Sequence, residues 1–471
     1  MLGVLDAIGI VTGLMIGAGI FTLPAQVAAQ VPDAWHLYAL WLAGGVLSLI
    51  GALCYAELAT SYPDAGGEYA FLRRAWGADC AFLFAWSRAM VTVTGTLAFL
   101  AYTYGDYMSR LLPLGAQSAA LHAGGAVLAL TALNLAGLRS GSAAQKLLTS
   151  CEVLALAAIA LAGLCLLEPA PAAATTAAFD PRAMPAFGLA LVFVLFAYGG
   201  WNDAAYLSAE TRAPATLVRA LWMSVLLVTV LYVLVNMACV RGLGFEAVAR
   251  SPTVVTDLLT QALGPRAGLA ISVVVAIAML TSMNATLIVG ARSNYALGRD
   301  YPLFAWLGRW NTARGTPVTG LLLQAAVTLL LIGVGVLTRE GLRTMVDYTA
   351  PVFWLFFLLV GLGMLKLRRA EPARARPYAV PFYPWPPLVF CVTSAGLLYS
   401  SLAYARIGAV AGVGVLLFGL VPLTIGRRRP RLAWALAALA LSVIACAWPG
   451  VRDAALAALV RVFASVPAQF Q

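Results

Sequence analysis

The feature that most limits how this chain can fold is a succession of about a dozen apolar runs, each near the ~20 residues that a helix needs to cross a bilayer. In hydrocarbon every backbone donor and acceptor must be satisfied within the segment, so runs of this length form helices. Only 10% of the 471 residues are charged and 62% are hydrophobic. A soluble domain carries about 25% charged residues, so a soluble fold is excluded. The net charge of +11 falls in short loops between the runs. There it acts as a topology signal rather than a nucleic-acid surface.

Twelve spans are predicted, at about 4–28, 37–60, 80–107, 121–138, 146–167, 186–208, 217–240, 268–297, 318–337, 345–367, 387–404 and 407–425. After Arg427-Arg428-Arg429-Pro430-Arg431, residues 432–448 form a run at the lower limit for a span. It is either a thirteenth helix or one lying along the membrane. Lys and Arg concentrate in the loops that are cytoplasmic if the N-terminus is inside, which predicts a cytoplasmic N-terminus.

Two spans are interrupted. The sixth contains Phe196-Ala197-Tyr198-Gly199-Gly200-Trp201-Asn202-Asp203, and the first contains Ile16-Gly17-Ala18-Gly19. Adjacent glycines followed by Asn and Asp are poor material for the middle of a membrane helix. A break there must line a polar cavity or be buried in protein. Each interrupted span is the first of a five-helix half, and five is odd, so the two enter from opposite sides. That is the pattern of an inverted 5+5 repeat with its binding site at the breaks. The expected units are a first repeat over 1–167, an extracytoplasmic loop over 168–185, a second repeat over 186–368, two further helices over 383–426 and an apolar extension over 432–471.

The break at Gly17–Gly19 frees amides at the start of the outer half-helix, an end that favours an anion such as a carboxylate. The alternative is a close-packing motif of small residues. Carbonyls around Phe196, Ala197 and Gly199 offer partial negative charge to an ammonium. An anion end and a cation end about one Cα apart fit a free α-amino acid.

These residues carry a resemblance. The chain resembles the amino acid–polyamine–organocation superfamily, and within it the L-type (light-chain) amino-acid transporters and their bacterial relatives. The motifs are Gly17-Ala18-Gly19-Ile20-Phe21, Gly51-Ala52-Leu53-Cys54-Tyr55-Ala56-Glu57-Leu58, Gly66-Gly67-Glu68-Tyr69-Ala70, Phe196-Ala197-Tyr198-Gly199-Gly200-Trp201-Asn202, and Ser282-Met283-Asn284 with Arg292 to Asp300. The resemblance implies an all-α, leucine-transporter-like fold and sodium-independent amino-acid transport, often by exchange. It maps the carboxylate onto the amides of Gly17, Ala18 and Gly19, and the amine onto carbonyls of Ile16, Phe196 and Gly199. Phe196 falls at the gate. Trp201 and Asn202 would hold the unwound segment, and Gly95, Thr96, Phe353 and Trp354 would shape the side-chain pocket.

Four positions depart from that pattern. Ala18 lacks the hydroxyl some relatives carry. Glu152 stands where many relatives have Lys, and Arg88 where relatives can have Glu. Either charge alone near mid-membrane costs about 2.5–3.5 kcal/mol, so an Arg88–Glu152 bridge is expected, the alternative being that each faces water in a vestibule. An unpartnered Glu152 would instead be a candidate proton carrier. Asp203, the fourth, is expected to cap the helix that resumes after the break, or to favour a cationic substrate or a proton. Glu57 and Glu210 are expected to pair with loop arginines.

The remaining expectations are exclusions. The seven cysteines form no CxxC and only His36 and His122 are present, so neither a metal nor a cofactor is expected. No phosphate loop or Ser-His-Asp set argues for a pump or an enzyme. The stretch from Ser109 to Ala120 holds no Cys, so no disulfide-linked partner subunit is expected. The function expected is secondary transport of amino acids, neutral ones favoured, by exchange or with protons, across the plasma membrane. The alternatives are an amine, polyamine or cationic amino-acid transporter and a non-transporting sensor.

Overall fold

A computed structural model describes residues 3–64, 66–136, 142–170, 184–207, 213–311, 316–338, 341–403 and 407–426. The first span is two helices, α1 (Val4–Met15) and α2 (Gly19–Ala28), bent by 45° across Ile16, Gly17 and Ala18. Next come α3 (Ala34–Ser61), whose N-terminus is capped by Asp33 accepting from the His36 amide at 3.0 Å, and α4 (Glu68–Trp76). The third span is one rod of α5 (Ala78–Ser87), a π-helical turn over Arg88–Thr92, and α6 (Val93–Leu111). Helices α7 (Ser118–Leu135), α8 (Ser142–Cys165) and α9 (Met184–Ala197) follow.

Beyond α9 the chain turns at Tyr198–Gly200 and resumes as a 3-10 helix, Trp201–Leu207. Then come α10 (Pro214–Leu243), α11 (Phe245–Arg250), α12 (Val254–Leu263) and the 36-residue α13 (Pro265–Asp300). Helices α14 (Val318–Thr338), α15 (Gly341–Ala370), α16 (Trp385–Ala403), α17 (Ile407–Phe418) and α18 (Leu420–Gly426) complete the described chain.

Among the described residues ten helices are long and apolar enough to cross a membrane, and the bent α1–α2 pair makes an eleventh. The apolar stretch of α8 described here, Thr149–Cys165, is shorter. The protein is therefore an all-α, multi-pass membrane protein. The expected spans match these helices to within a few residues at each end. Three helices were not anticipated: α4, α11 and α12. They are short and lie in connections where no apolar run announces them. The expected extension over 432–471, most of the 168–185 loop and Glu210 lie outside the described residues.

The two interrupted segments sit at the centre of the packing. Helix α2 lies on α9, while α1 lies against α8 and α10. A Cβ on Gly19 would stand 2.6 Å from the Ala197 Cα, so only glycine lets these backbones approach so closely. Gly200 has φ +106° and sits against the Leu14 carbonyl, leaving no room for a side chain.

Candidate functional site

The sequence places two breaks about 180 residues apart, and the fold brings them backbone to backbone. At the first, the Ile16 amide donates back to the Thr12 carbonyl at 2.8 Å and closes α1. The Ala18 carbonyl accepts from the Phe21 amide at 3.1 Å and the Thr22 hydroxyl at 3.0 Å. The first amides of α2 have no acceptor inside their own helix. At the second break the Tyr198 amide donates to Val194 at 3.0 Å and Gly199 to Phe196 at 3.2 Å. The Phe196 carbonyl, expected at the amine end, is thus already shared with Gly199. Asn202 Oδ1 accepts from the Gly200 amide at 3.3 Å, and Asp203 N donates to the Gly200 carbonyl at 3.1 Å.

One side chain that sequence reasoning missed ties the breaks together. The buried Tyr232 hydroxyl, from α10, lies 3.0 Å from the Met15 carbonyl and 3.4 Å from the Ala197 carbonyl. Tyr232 also packs on Tyr198 (centroids 5.1 Å) and on Trp41 (5.6 Å), and the Tyr198 hydroxyl donates to the Trp41 carbonyl at 2.9 Å. Sequence gives little warning, because one tyrosine within an apolar run has the look of ordinary core. Its position between two broken helices emerges only from the tertiary fold.

The expected pocket residues separate into two groups. Phe196 meets Phe99 of α6 edge-on at 5.2 Å. Trp201 is buried against Tyr55 (5.1 Å) and Phe357 (5.4 Å). Phe353 and Trp354 line, with Gly199 and Trp201, a cavity of about 20 Å³ on the α16 side, room for a single water. Gly95 differs from expectation. A Cβ there would collide with the Thr349 methyl of α15, so Gly95 is a helix-packing contact and not a pocket wall. Thr96, beside it, is half-buried. A cavity of about 780 Å³ lies away from both breaks, lined by Tyr62, Tyr69, Arg73, Arg74, Arg299 and Asp300.

The charges also depart from expectation. Arg88 does not bridge to Glu152. Its Nη1 lies 3.4 Å from Asp203 Oδ1 and 3.7 Å from Glu68 Oε2, and its guanidinium covers the Tyr206 ring at 5.2 Å. The π-turn that begins at Arg88 and the placement of α4 set this choice of partner, and neither is visible in the sequence. Asp203 is therefore an ion-pair partner rather than a helix cap, while Asn202 holds the Gly200 amide just before the helix. Asn202 Nδ2 in turn reaches Glu68 Oε1 at 3.4 Å, where the Tyr55 hydroxyl donates at 2.6 Å. Burial, opposed by Arg88 and reinforced by Asp203, pushes the Glu68 carboxyl up to about 7.

Glu152 is 6% exposed and has no cation within ion-pair distance among the described residues. It lies on α8, which packs against α1. Glu57, expected to be structural, accepts two bonds from Arg368 at 2.7 Å each and one from the Val380 amide at 2.7 Å, with Arg376 at 3.5 Å. No group of three or more metal-ligating side chains occurs among the described residues.

With this geometry in hand, comparison with known proteins identifies the relatives. The amino acid permease family model matches residues 2–457. The chain is similar to the b(0,+)-type amino acid transporter 1 of Mus musculus, 29% identical over 388 residues that cover 81% of this chain and 78% of that protein. It is also similar to the large neutral amino acids transporter small subunit 2 of Mus musculus, 30% identical over 434 residues covering 89% of this chain and 79% of that one. The Homo sapiens form of the latter is 29% identical over the same length. The chain belongs to the amino acid permease family.

Proposed function

We propose that this amino-acid transporter is a sodium-independent carrier of neutral amino acids that works by alternating access around the two breaks. The observation that carries this reading is the backbone-to-backbone meeting of the Ile16–Gly19 and Phe196–Asn202 segments. Amides of Gly17, Ala18 and Gly19, at the start of α2, would take the carboxylate. Carbonyls of Ile16, Phe196 and Gly199 would take the ammonium. Phe196 against Phe99 forms the gate, and Thr96, Phe353 and Trp354 set the side-chain preference. Residues 1–167 and 186–368 act as the two inverted repeats. The N-terminus lies in the cytoplasm, the membrane is the plasma membrane, and no disulfide-linked subunit takes part.

The second reading is an amine, polyamine or cationic amino-acid substrate; Asp203, its candidate partner beside the second break, is paired with Arg88 at 3.4 Å. Glu152, buried on the helix that packs against α1, is the coupling group we assign if protons drive uptake. The test is uptake of labelled neutral amino acids into proteoliposomes without sodium, either preloaded with amino acids or empty with an inward proton gradient. Uptake confined to preloaded vesicles establishes exchange and makes Glu152 structural. Uptake into empty vesicles that disappears in Glu152→Gln establishes proton coupling. Transport of amines lacking a carboxylate, or dependence on sodium, overturns the proposal.

A further inference from the structure

The cluster Glu68, Arg88 and Asp203 touches the second break without belonging to the substrate's main-chain cradle. Two carboxylates face one guanidinium. Glu68 is 2% and Arg88 7% exposed. The Arg88 Nε has no hydrogen-bond partner among the described residues. The remaining groups around Glu68 are the Tyr55 hydroxyl from α3, Asn202 Nδ2 and Tyr206 from the 3-10 helix. Neighbouring charges are engaged elsewhere. On α15, Lys366 lies over the Trp76 ring at 4.7 Å and Arg368 is held by Glu57. On α13, Asp300 faces Tyr69 and Arg73. With both carboxylates ionised the cluster holds one uncompensated negative charge around the buried Glu68, and the 31% exposure of the Asp203 side chain relieves it only in part. One proton neutralises it.

We propose that Glu68, Arg88 and Asp203 form a proton-regulated latch: with one proton bound, the cluster clamps the 3-10 helix after the second break against α4, and losing that proton releases it. The direction follows from linkage. A carboxyl raised to about 7 in the closed cluster returns toward its ordinary 4.5 when opening hydrates it. The closed form is then favoured at low pH and loses ground as pH rises from about 4.5 to about 7, by up to tenfold per unit, before levelling off. The latch lies at the membrane face that carries α4, cytoplasmic in the proposed orientation. Acidification on that side clamps the protein shut, so the device acts as a brake on opening toward an acidified cytoplasm.

Hydrogen exchange of the full-length protein in nanodiscs tests this without substrate. The measured quantity is the exchange rate of residues 199–207 relative to Glu68→Gln at the same pH, which cancels the intrinsic pH dependence. Glu68→Gln mimics the protonated carboxyl, so the ratio is expected to rise about twentyfold between pH 5.5 and 7.5. A ratio constant across that range overturns the latch. Asp203→Asn removes the second carboxylate, lowers the proton affinity of Glu68 and shifts the wild-type profile to lower pH. Superimposable wild-type and Asp203→Asn profiles also overturn it, and this comparison serves if Glu68→Gln does not fold. A second readout rests on the transport reading: uptake should rise with pH on the α4 side in the wild type and stay flat in Glu68→Gln. If no amino acid is carried, the transport reading fails while the exchange data still decide the latch.

Discussion

Removing the Tyr232 hydroxyl separates a specific role at the breaks from general core packing. Tyr232→Phe keeps the ring contacts with Trp41 and Tyr198 at 5.6 and 5.1 Å and deletes only the oxygen. That oxygen donates to Met15 at 3.0 Å, within ordinary bond length, and lies at 3.4 Å from Ala197, which is long. One proton serves both, so one net bond of about 1 kcal/mol is lost. Tyr232 is fully buried, so no water is positioned to replace the hydroxyl, and a bare carbonyl costs about 1–3 kcal/mol. The second figure contains the first, so the expected range is about 1–3 kcal/mol, or roughly 5- to 150-fold in an equilibrium constant. Because the loss falls on the carbonyls flanking both breaks, it should weaken apparent substrate affinity in proteoliposomes by at least fivefold and lower the unfolding temperature. Tyr232→Phe with wild-type affinity and wild-type thermal stability would refute the reasoning. Lower stability with unchanged affinity would reduce Tyr232 to a core residue.

Three further outcomes are expected. Glu57→Ala strands the Arg368 and Arg376 charges and should destabilise the protein by about 3–5 kcal/mol, whereas the apolar pair Glu57→Leu with Arg368→Met should recover most of that in thermal unfolding. Gly200→Ala puts a methyl onto the Leu14 carbonyl at a φ of +106°; it should abolish uptake while the protein still inserts, and normal uptake would contradict the packing described. Hydrogen bonds from Arg74 hold the Glu371 carboxyl below its ordinary 4.5. Its stabilising effect is therefore present at neutral pH and lost on acidification below that value. Both partners are partly exposed, so Glu371→Gln should shift unfolding by less than about 1 kcal/mol.

The spans were legible because length and apolarity are local properties, and a helix is the only local solution in lipid. The breaks were legible for the same reason: Gly17 to Gly19 and Gly199–Gly200 interrupt a pattern that is otherwise uniform. What the sequence did not reveal is long-range. Arg88 finds Asp203 115 residues away, through a π-turn and a loop helix that leave no apolar signature. Charge reversal at positions 88 and 152 invited the idea of a mutual pair, since each compensates the other on paper. The fold instead gives Arg88 two carboxylates and leaves Glu152 with no cation within ion-pair distance among the described residues. Gly95 misled for a related reason, because a small residue opens space equally well for a ligand or for a neighbouring helix, here Thr349.

The π-turn at Arg88–Thr92 has a consequence for how this span tolerates change. An α-helix advances 100° per residue, so one extra residue in a single turn rotates everything beyond it by about that angle. At its first residue the turn presents Arg88 to α4 and the 3-10 helix; beyond it the rod presents Gly95 to α15. The two faces are held in phase by that one wide turn. Deleting a single residue within it would leave a longer, more regular and equally apolar helix, yet no rotation of that helix could restore both contacts at once. Regularity here would be a defect, and the span should tolerate substitution along its length far better than a change of count at five positions.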